Sequence, residues 1–179
     1  MIIRVNDIND SLRRLSATEQ VSDYPTLVAV QHDGLCEFLS PLAMEFTALR
    51  EYDHIRVEGK VTVEVALNCA RCLTPYQIEL VSRFTIFYSK ALGNMPQDEE
   101  VELAEEELVS ATYDGDEIDL TPEVAEHVIM ELPIKPLCQE GCRGLCTSCG
   151  IDLNAGNCNC EMQKGSFAFS ALKNLKLDR

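Results

Sequence analysis

Residues 57–88, VEGKVTVEVALNCARCLTPYQIELVSRFTIFY, decide the fold. Val57, Val61, Val63, Val65 and Leu67 fall on odd positions, with Glu58, Lys60, Thr62, Glu64 and Asn68 mostly between them. Tyr76, Ile78, Leu80, Phe84, Ile86 and Tyr88 continue on even positions. Successive side chains of a strand point to opposite faces, so two period-two runs predict two strands, each with one apolar and one polar face. Only eight residues separate Leu67 from Tyr76. The two runs therefore predict a long antiparallel hairpin whose tip is Asn68-Cys69-Ala70-Arg71-Cys72-Leu73-Thr74-Pro75.

The tip carries the first chemistry. In Cys69-x-x-Cys72 the two-residue spacer lets both sulfurs point at one metal while backbone N–H groups hydrogen-bond the thiolates, which is half of a tetrahedral site. Redox C-x-x-C pairs usually sit at a helix start in a βαβ setting rather than on a β-hairpin tip, so metal binding is favoured. Downstream, Cys138, Cys142, Cys146, Cys149, Cys158 and Cys160 crowd into a stretch with few large apolar residues. Cys146-Thr-Ser-Cys149-Gly150 has the knuckle form in which a glycine after the second cysteine takes the left-handed turn.

The chain holds nine cysteines, and isolated Cys36 reads as a buried thiol acting as a small hydrophobe, so eight remain for tetrahedral sites of four. Two zinc sites are the economical partition. Proximity in the chain groups Cys146, Cys149, Cys158 and Cys160 within the tail and leaves Cys138 and Cys142 for Cys69 and Cys72. The second pairing staples the tail to the hairpin tip. Arg71, Lys135 and Arg143 stand near enough in sequence to offset the negative thiolates. Two closed four-sulfur sites have no open position for metal-assisted hydrolysis. His32, His54 and His127 lie in no metal-binding or nucleophile-activating pattern and are expected at the surface, so no catalytic residue is expected.

Outward from the hairpin, Asn6 or Asp7 is expected to cap a short helix through Ile8, Leu12 and Leu15, and Leu27–Val30 and the stretch around Met44 and Phe46 are expected strands. Asp114-Gly115 predicts a second, smaller hairpin between residues 108–113 and 117–120. Thr121 is the expected N-cap of a helix with Pro122 in its first turn and Val124, Ala125, Val128, Ile129 and Leu132 on its apolar face. A short ordered piece near Val101–Val109 and a final amphipathic helix from Ser166 complete the pattern. The expected fold class is α+β: a predominantly antiparallel β platform with a few short helices and a cysteine-rich zinc-binding C-terminal region. Its parts are a β-rich domain over residues 1–90, an acidic connection over 91–112, and a unit over 113–179 that packs back on the first.

The net charge of −15, taken as a sum, argues against nucleic acid. Its distribution weakens that argument. Fourteen acidic residues and no Lys or Arg lie between Gly93 and Glu131, which leaves the rest of the chain close to neutral and a basic face possible. No basic stretch followed by an apolar one opens the chain, and no apolar run approaches membrane-spanning length, so a cytoplasmic protein is expected.

In combination, C-A-R-C at 69–72, Asp116-Glu117-Ile118-Asp119-Leu120, residues 131–138 (ELPIKPLC), Gly144-Leu145-Cys146-Thr147-Ser148-Cys149-Gly150 and Phe167-Ala-Phe-Ser-Ala-Leu-Lys173 resemble the YceD family. Its members are large ribosomal RNA subunit accumulation proteins. The resemblance runs from about Gly59 to the C-terminus. It implies a role in keeping 23S ribosomal RNA at normal levels and in large-subunit assembly, with no known enzymatic activity. The implied partners are a ribosomal precursor particle, a ribosomal protein or 23S rRNA. Cys69, Cys72, Cys138 and Cys142 match the family's more general cysteine positions, and the Cys146–Cys160 group matches a tail that not every member has. Two other readings of the residues stay open: a thiol redox protein using Cys69 and Cys72, and a zinc-ribbon adaptor in transcription.

Overall fold

The computed structural model describes residues 1–9, 11–91 and 110–160. In chain order the elements are β1 (Ile2–Arg4), β2 (Arg13–Glu19), α1 (Pro25–His32), β3 (Glu37–Phe38), β4 (Leu42–Glu51), β5 (His54–Asn68), β6 (Pro75–Lys90), β7 (Ser110–Tyr113), β8 (Glu117–Asp119) and α2 (Thr121–Met130). Short 3-10 turns cover Val5–Asp7 and Val21–Asp23. Strands β2, β4, β5, β6 and β7 lie side by side in that order, and β3 pairs with β5. All these pairings are antiparallel except β6 with β7, so the class is the expected α+β.

The long hairpin is present and longer than its apolar runs, with Asn68 opposite Pro75 at one end and His54 opposite Ser89 at the other. Val57, Val61, Val63, Val65 and Leu67 are buried, as are Leu80, Phe84, Ile86 and Tyr88, so the alternation specifies the register and the inner face. The Met44 and Phe46 stretch is β4, as expected, and both side chains are buried. Helix α2 lies over this face with Val124, Ala125 and Val128 buried. Phe84 meets Phe46 edge-on, with ring centroids 6.3 Å apart. On its other side it stacks against His127 at 4.1 Å. His127 is thus half-buried rather than a surface residue, and burial pushes its imidazole below its ordinary value.

Three local expectations are not met, two of them because tertiary pairing wins. The helix through Ile8, Leu12 and Leu15 is absent. Val5–Asp7 is a single 3-10 turn, and Leu15 sits in β2 opposite Phe46 of β4. An apolar spacing covering about two turns is too short to hold a helix without a packed face, and the open edge of β4 offered seven paired residues instead. Leu27–Val30 is helical, because Pro25 suits a first helical turn and the Val28 amide donates to the Tyr24 carbonyl at 3.1 Å. The small hairpin does not form either. β7 runs parallel along β6, and β8 pairs with β1, placing Ile118 opposite Ile3. A lone two-stranded ribbon this short is marginal, whereas both alternatives add strands to existing apolar surfaces.

Thr121 is the first helical residue of α2 rather than its cap. The Asp119 carboxylate accepts from its amide at 2.9 Å and its hydroxyl at 2.6 Å, satisfying a helix-start donor. The expected ordered piece near Val101–Val109 and the helix from Ser166 lie outside the described residues. Among the described residues no helix is long and apolar enough to cross a membrane.

Candidate metal centres

The hairpin tip is a tight turn built around Cys69. The Leu73 amide donates to the Cys69 carbonyl at 2.9 Å, and the Arg71 amide donates to the Cys69 Sγ at 3.4 Å. Cys146 repeats this arrangement: the Gly150 amide donates to its carbonyl at 2.9 Å and the Ser148 amide to its Sγ at 3.4 Å. Each turn aims a sulfur inward and points backbone N–H groups at it.

The segment after α2 returns to the tip along backbone hydrogen bonds. The Ala70 amide donates to the Pro136 carbonyl at 2.8 Å, the Leu145 amide to the Arg71 carbonyl at 3.1 Å, and Arg71 Nη1 to the Cys142 carbonyl at 2.7 Å. The chain can run this close because residue 144 is glycine, with φ +76°. A Cβ there would stand 3.0 Å from the Arg71 carbonyl oxygen.

These contacts gather Cys69, Cys72, Cys138 and Cys142 so that all four sulfurs lie within 4.8 Å of one another. The Cys69–Cys142 and Cys72–Cys138 Sγ separations are both 3.7 Å. That is far longer than the ~2.05 Å of a disulfide. It equals, to within rounding, the edge of about 3.8 Å that a tetrahedron of ~2.3 Å zinc–sulfur bonds requires. Tyr76, Leu137 and Leu145 pack against the group, and Cys69, Cys72 and Cys142 are buried. The four sulfurs of Cys146, Cys149, Cys158 and Cys160 likewise lie within 4.8 Å of one another, but Cys149 is exposed and Cys158 and Cys160 are half-buried. Both four-cysteine groups can hold a metal ion.

The electrostatics of the metal-free thiols show what a cation would do. Backbone N–H groups of Cys138, Cys72 and Arg71, against the opposing effect of burial, hold the Cys69 thiol down at about 6. Those of Cys149 and Ser148 hold Cys146 at about 6. Burial and hydrogen bonds from neighbouring thiols push Cys138 up to about 12, and hydrogen bonds with Cys149 and Cys158 push Cys160 to about 12. One thiolate in each group is prepared and the last is resisted, an imbalance that a divalent cation at the centre removes.

Arg71, read from sequence as a charge offset, has a structural task as well, holding the Cys142 and Glu140 carbonyls with its guanidinium. Arg143 reaches Asn157 at 3.3 Å, and its amide donates to Asn154 Oδ1 at 2.8 Å. Sequence reading missed Asn154 entirely. Its side-chain amide donates to the Cys142 Sγ at 3.4 Å and to Asp152 at 2.8 Å, tying the loop of the second group to a sulfur of the first. The only signal was the Asp-x-Asn spacing at 152–154, a common loop-forming pattern. Cys36 is buried and stands apart from both groups, and burial pushes its thiol up.

A chloroplastic large ribosomal RNA subunit accumulation protein YCED homolog of Arabidopsis thaliana is 23% identical over 90% of this chain and 53% of its own length. Its Zea mays counterpart is 24% identical over 68% of this chain and 49% of its own length. An uncharacterized protein of Mycobacterium leprae is 31% identical over 65% of this chain and 51% of its own. The chain thus spans about half the length of these relatives. No solved structure matches. Residues 57–176, from the start of the alternating hairpin to beyond the last cysteine, match the family model "Large ribosomal RNA subunit accumulation protein YceD", and the chain belongs to that family.

Proposed function

We propose that the protein is a non-catalytic cytoplasmic factor that binds two structural zinc ions and supports 23S rRNA accumulation and assembly of the large ribosomal subunit. The zinc ligands are Cys69, Cys72, Cys138 and Cys142 in one site and Cys146, Cys149, Cys158 and Cys160 in the other. The observation that carries the zinc assignment is the 3.7 Å sulfur spacing in the first group, in a chain whose family is named for large-subunit RNA accumulation. Four thiolates fill a tetrahedron and leave no position for substrate, which favours a structural role over hydrolysis. A small-peptide zinc site is worth on the order of 10 to 16 kcal/mol at neutral pH, enough to order a tail with so few large apolar residues. A thiol redox role for Cys69 and Cys72 would need an accessible thiolate, and Cys69 is fully buried.

Native mass spectrometry tests the metal part: two zinc ions per chain are expected, falling to one in a Cys69→Ser/Cys72→Ser variant. One zinc unchanged by the substitution would detach the tip from the tail and revive the redox reading. For the cellular role, depletion of the protein is expected to lower 23S relative to 16S rRNA, and the tagged protein is expected to sediment with large-subunit precursors. An unchanged ratio with no precursor association would sink the assignment.

A further inference from the structure

The sheet has a second face, turned away from α2 and the core. Strand alternation and register lay two polar rows across it: Arg14, Thr47, Glu58 and Thr85 in one, and Ser16, Glu45, Lys60 and Arg83 in the next. A cleft of about 730 Å³ runs along these rows. Its carboxylates are already engaged. Glu45 pairs with Lys60 at 3.6 Å, while Glu58 pairs with Arg56 and accepts from the Thr47 hydroxyl at 3.2 Å. Arg14 and Arg83 are exposed, and neither has an ion-pair or hydrogen-bond partner among the described residues. The charge left over in the cleft is therefore positive, on a chain whose net charge is −15.

Arg14 and Arg83 stand on β2 and β6, three strand spacings across and two residues along the sheet from each other, about 16 Å in all, too far to grip one anion and well placed for two anions of one polymer. The Ser16 hydroxyl beside Arg14 on β2 and the Thr85 hydroxyl beside Arg83 on β6 suit phosphate oxygens. Farther along the same face Phe87 and His54 meet edge-to-face at 5.4 Å, and both are partly exposed. Outward aromatics beside arginines on an antiparallel sheet suit unstacked bases, which a single strand presents and a duplex hides.

We propose that this face binds single-stranded RNA, with Arg14 and Arg83 on separate phosphates and the Phe87–His54 pair against a base. The proposal rests on the reading that the protein acts on large-subunit precursors, and it names the contact. Each arginine–phosphate contact releases condensed counterions from the RNA, so the complex weakens as salt rises and the arginines matter most at low salt.

Fluorescence anisotropy of the zinc-loaded full chain with a short labelled single-stranded RNA, between about 50 and 200 mM salt, provides the test. Arg14→Glu/Arg83→Glu is expected to weaken binding on the order of tenfold or more and to lower the salt slope by about 1.4, the value for two phosphate contacts on a single strand. Phe87→Ala is expected to weaken binding with the slope unchanged. Arg4→Glu, a charge change on β1 outside this face, is expected to leave binding intact. Circular dichroism and zinc content confirm that each variant is folded. The proposal is overturned if the wild type binds no RNA at low salt, if the double variant matches Arg4→Glu, or if a poly-glutamate peptide displaces the RNA at equal charge concentration, which would make an acidic protein segment the occupant. Precursor association without RNA binding would overturn the RNA contact alone. Loss of both would overturn the assembly role as well.

Discussion

Leu73 and Gly150 hold the same place in two turns of the same kind, one residue after the second cysteine of a C-x-x-C. Both are left-handed, at φ +61° and +74°, and both donate an amide hydrogen to the carbonyl of the first cysteine. Glycine adopts this conformation freely, whereas a leucine loses about 1 kcal/mol to the clash of its Cβ with the following carbonyl. Leu73 is 65% exposed, so little packing offsets that cost. Leu73→Gly is accordingly expected to stabilise the zinc-loaded protein by roughly 0.5–1 kcal/mol, seen as a rise in Tm of a few degrees. The opposite change separates two effects. Gly150→Ala meets no atom within 4 Å and is expected to cost only the conformational term, about 1–2 kcal/mol. Gly144→Ala also drives a Cβ against Arg71, and urea denaturation is expected to show it roughly 1–3 kcal/mol worse than Gly150→Ala. Equal losses would mean that the turn at Arg71 simply moves aside. Gly150 was legible from its knuckle motif, but nothing in the chain near Gly144 announces Arg71.

At the scale of elements, the hairpin and α2 form one packed unit joined through Phe46, Phe84 and His127. Phe46 is 2% exposed, and Phe46→Ala is expected to cost about 3–5 kcal/mol, measured as a fall in denaturation midpoint. His127 contributes a pH dependence. Burial against Phe84 lowers its folded value below the ordinary 6.5, so the unfolded chain binds the proton first as pH falls. Its share of stability is present above about pH 6.5 and is lost as pH drops from there through the folded value. His127→Phe is expected to flatten the stability profile across that window, and identical profiles for variant and wild type would refute the burial argument. The hairpin was legible because its pattern repeats over many residues and its two strands are neighbours in the chain. β1, β2, β7 and β8 are short, and each takes its partner from far along the sequence, so local pattern could not assign them.

Over the whole molecule, the two four-cysteine groups differ in shelter. Three ligands of the stapled group are buried, while the tail group has only Cys146 buried. A limiting chelator is expected to strip the tail site first, leaving a one-zinc species in which the tip and tail remain joined. Native mass spectrometry of wild type, Cys69→Ser/Cys72→Ser and Cys146→Ser/Cys149→Ser chains identifies which site empties. Simultaneous loss of both ions would show that the Asn154 link between the groups makes them one cooperative unit.

By itself, the sequence determined the hairpin, its inward face, the C-x-x-C at its tip and the partition of eight cysteines into two groups of four. Alternation of side chains is a local property of a strand, and ligand spacing is a local property of a turn. The tertiary structure alone decided that β7 and β8 abandon each other for distant partners, that Thr121 enters the helix with its amide and hydroxyl on the Asp119 carboxylate, and that Arg71 and Asn154 bind the sites together. Each of those outcomes compares a weak local preference with surface burial or a hydrogen bond supplied by residues tens of positions away. Only the folded chain brings the two sides of that comparison together.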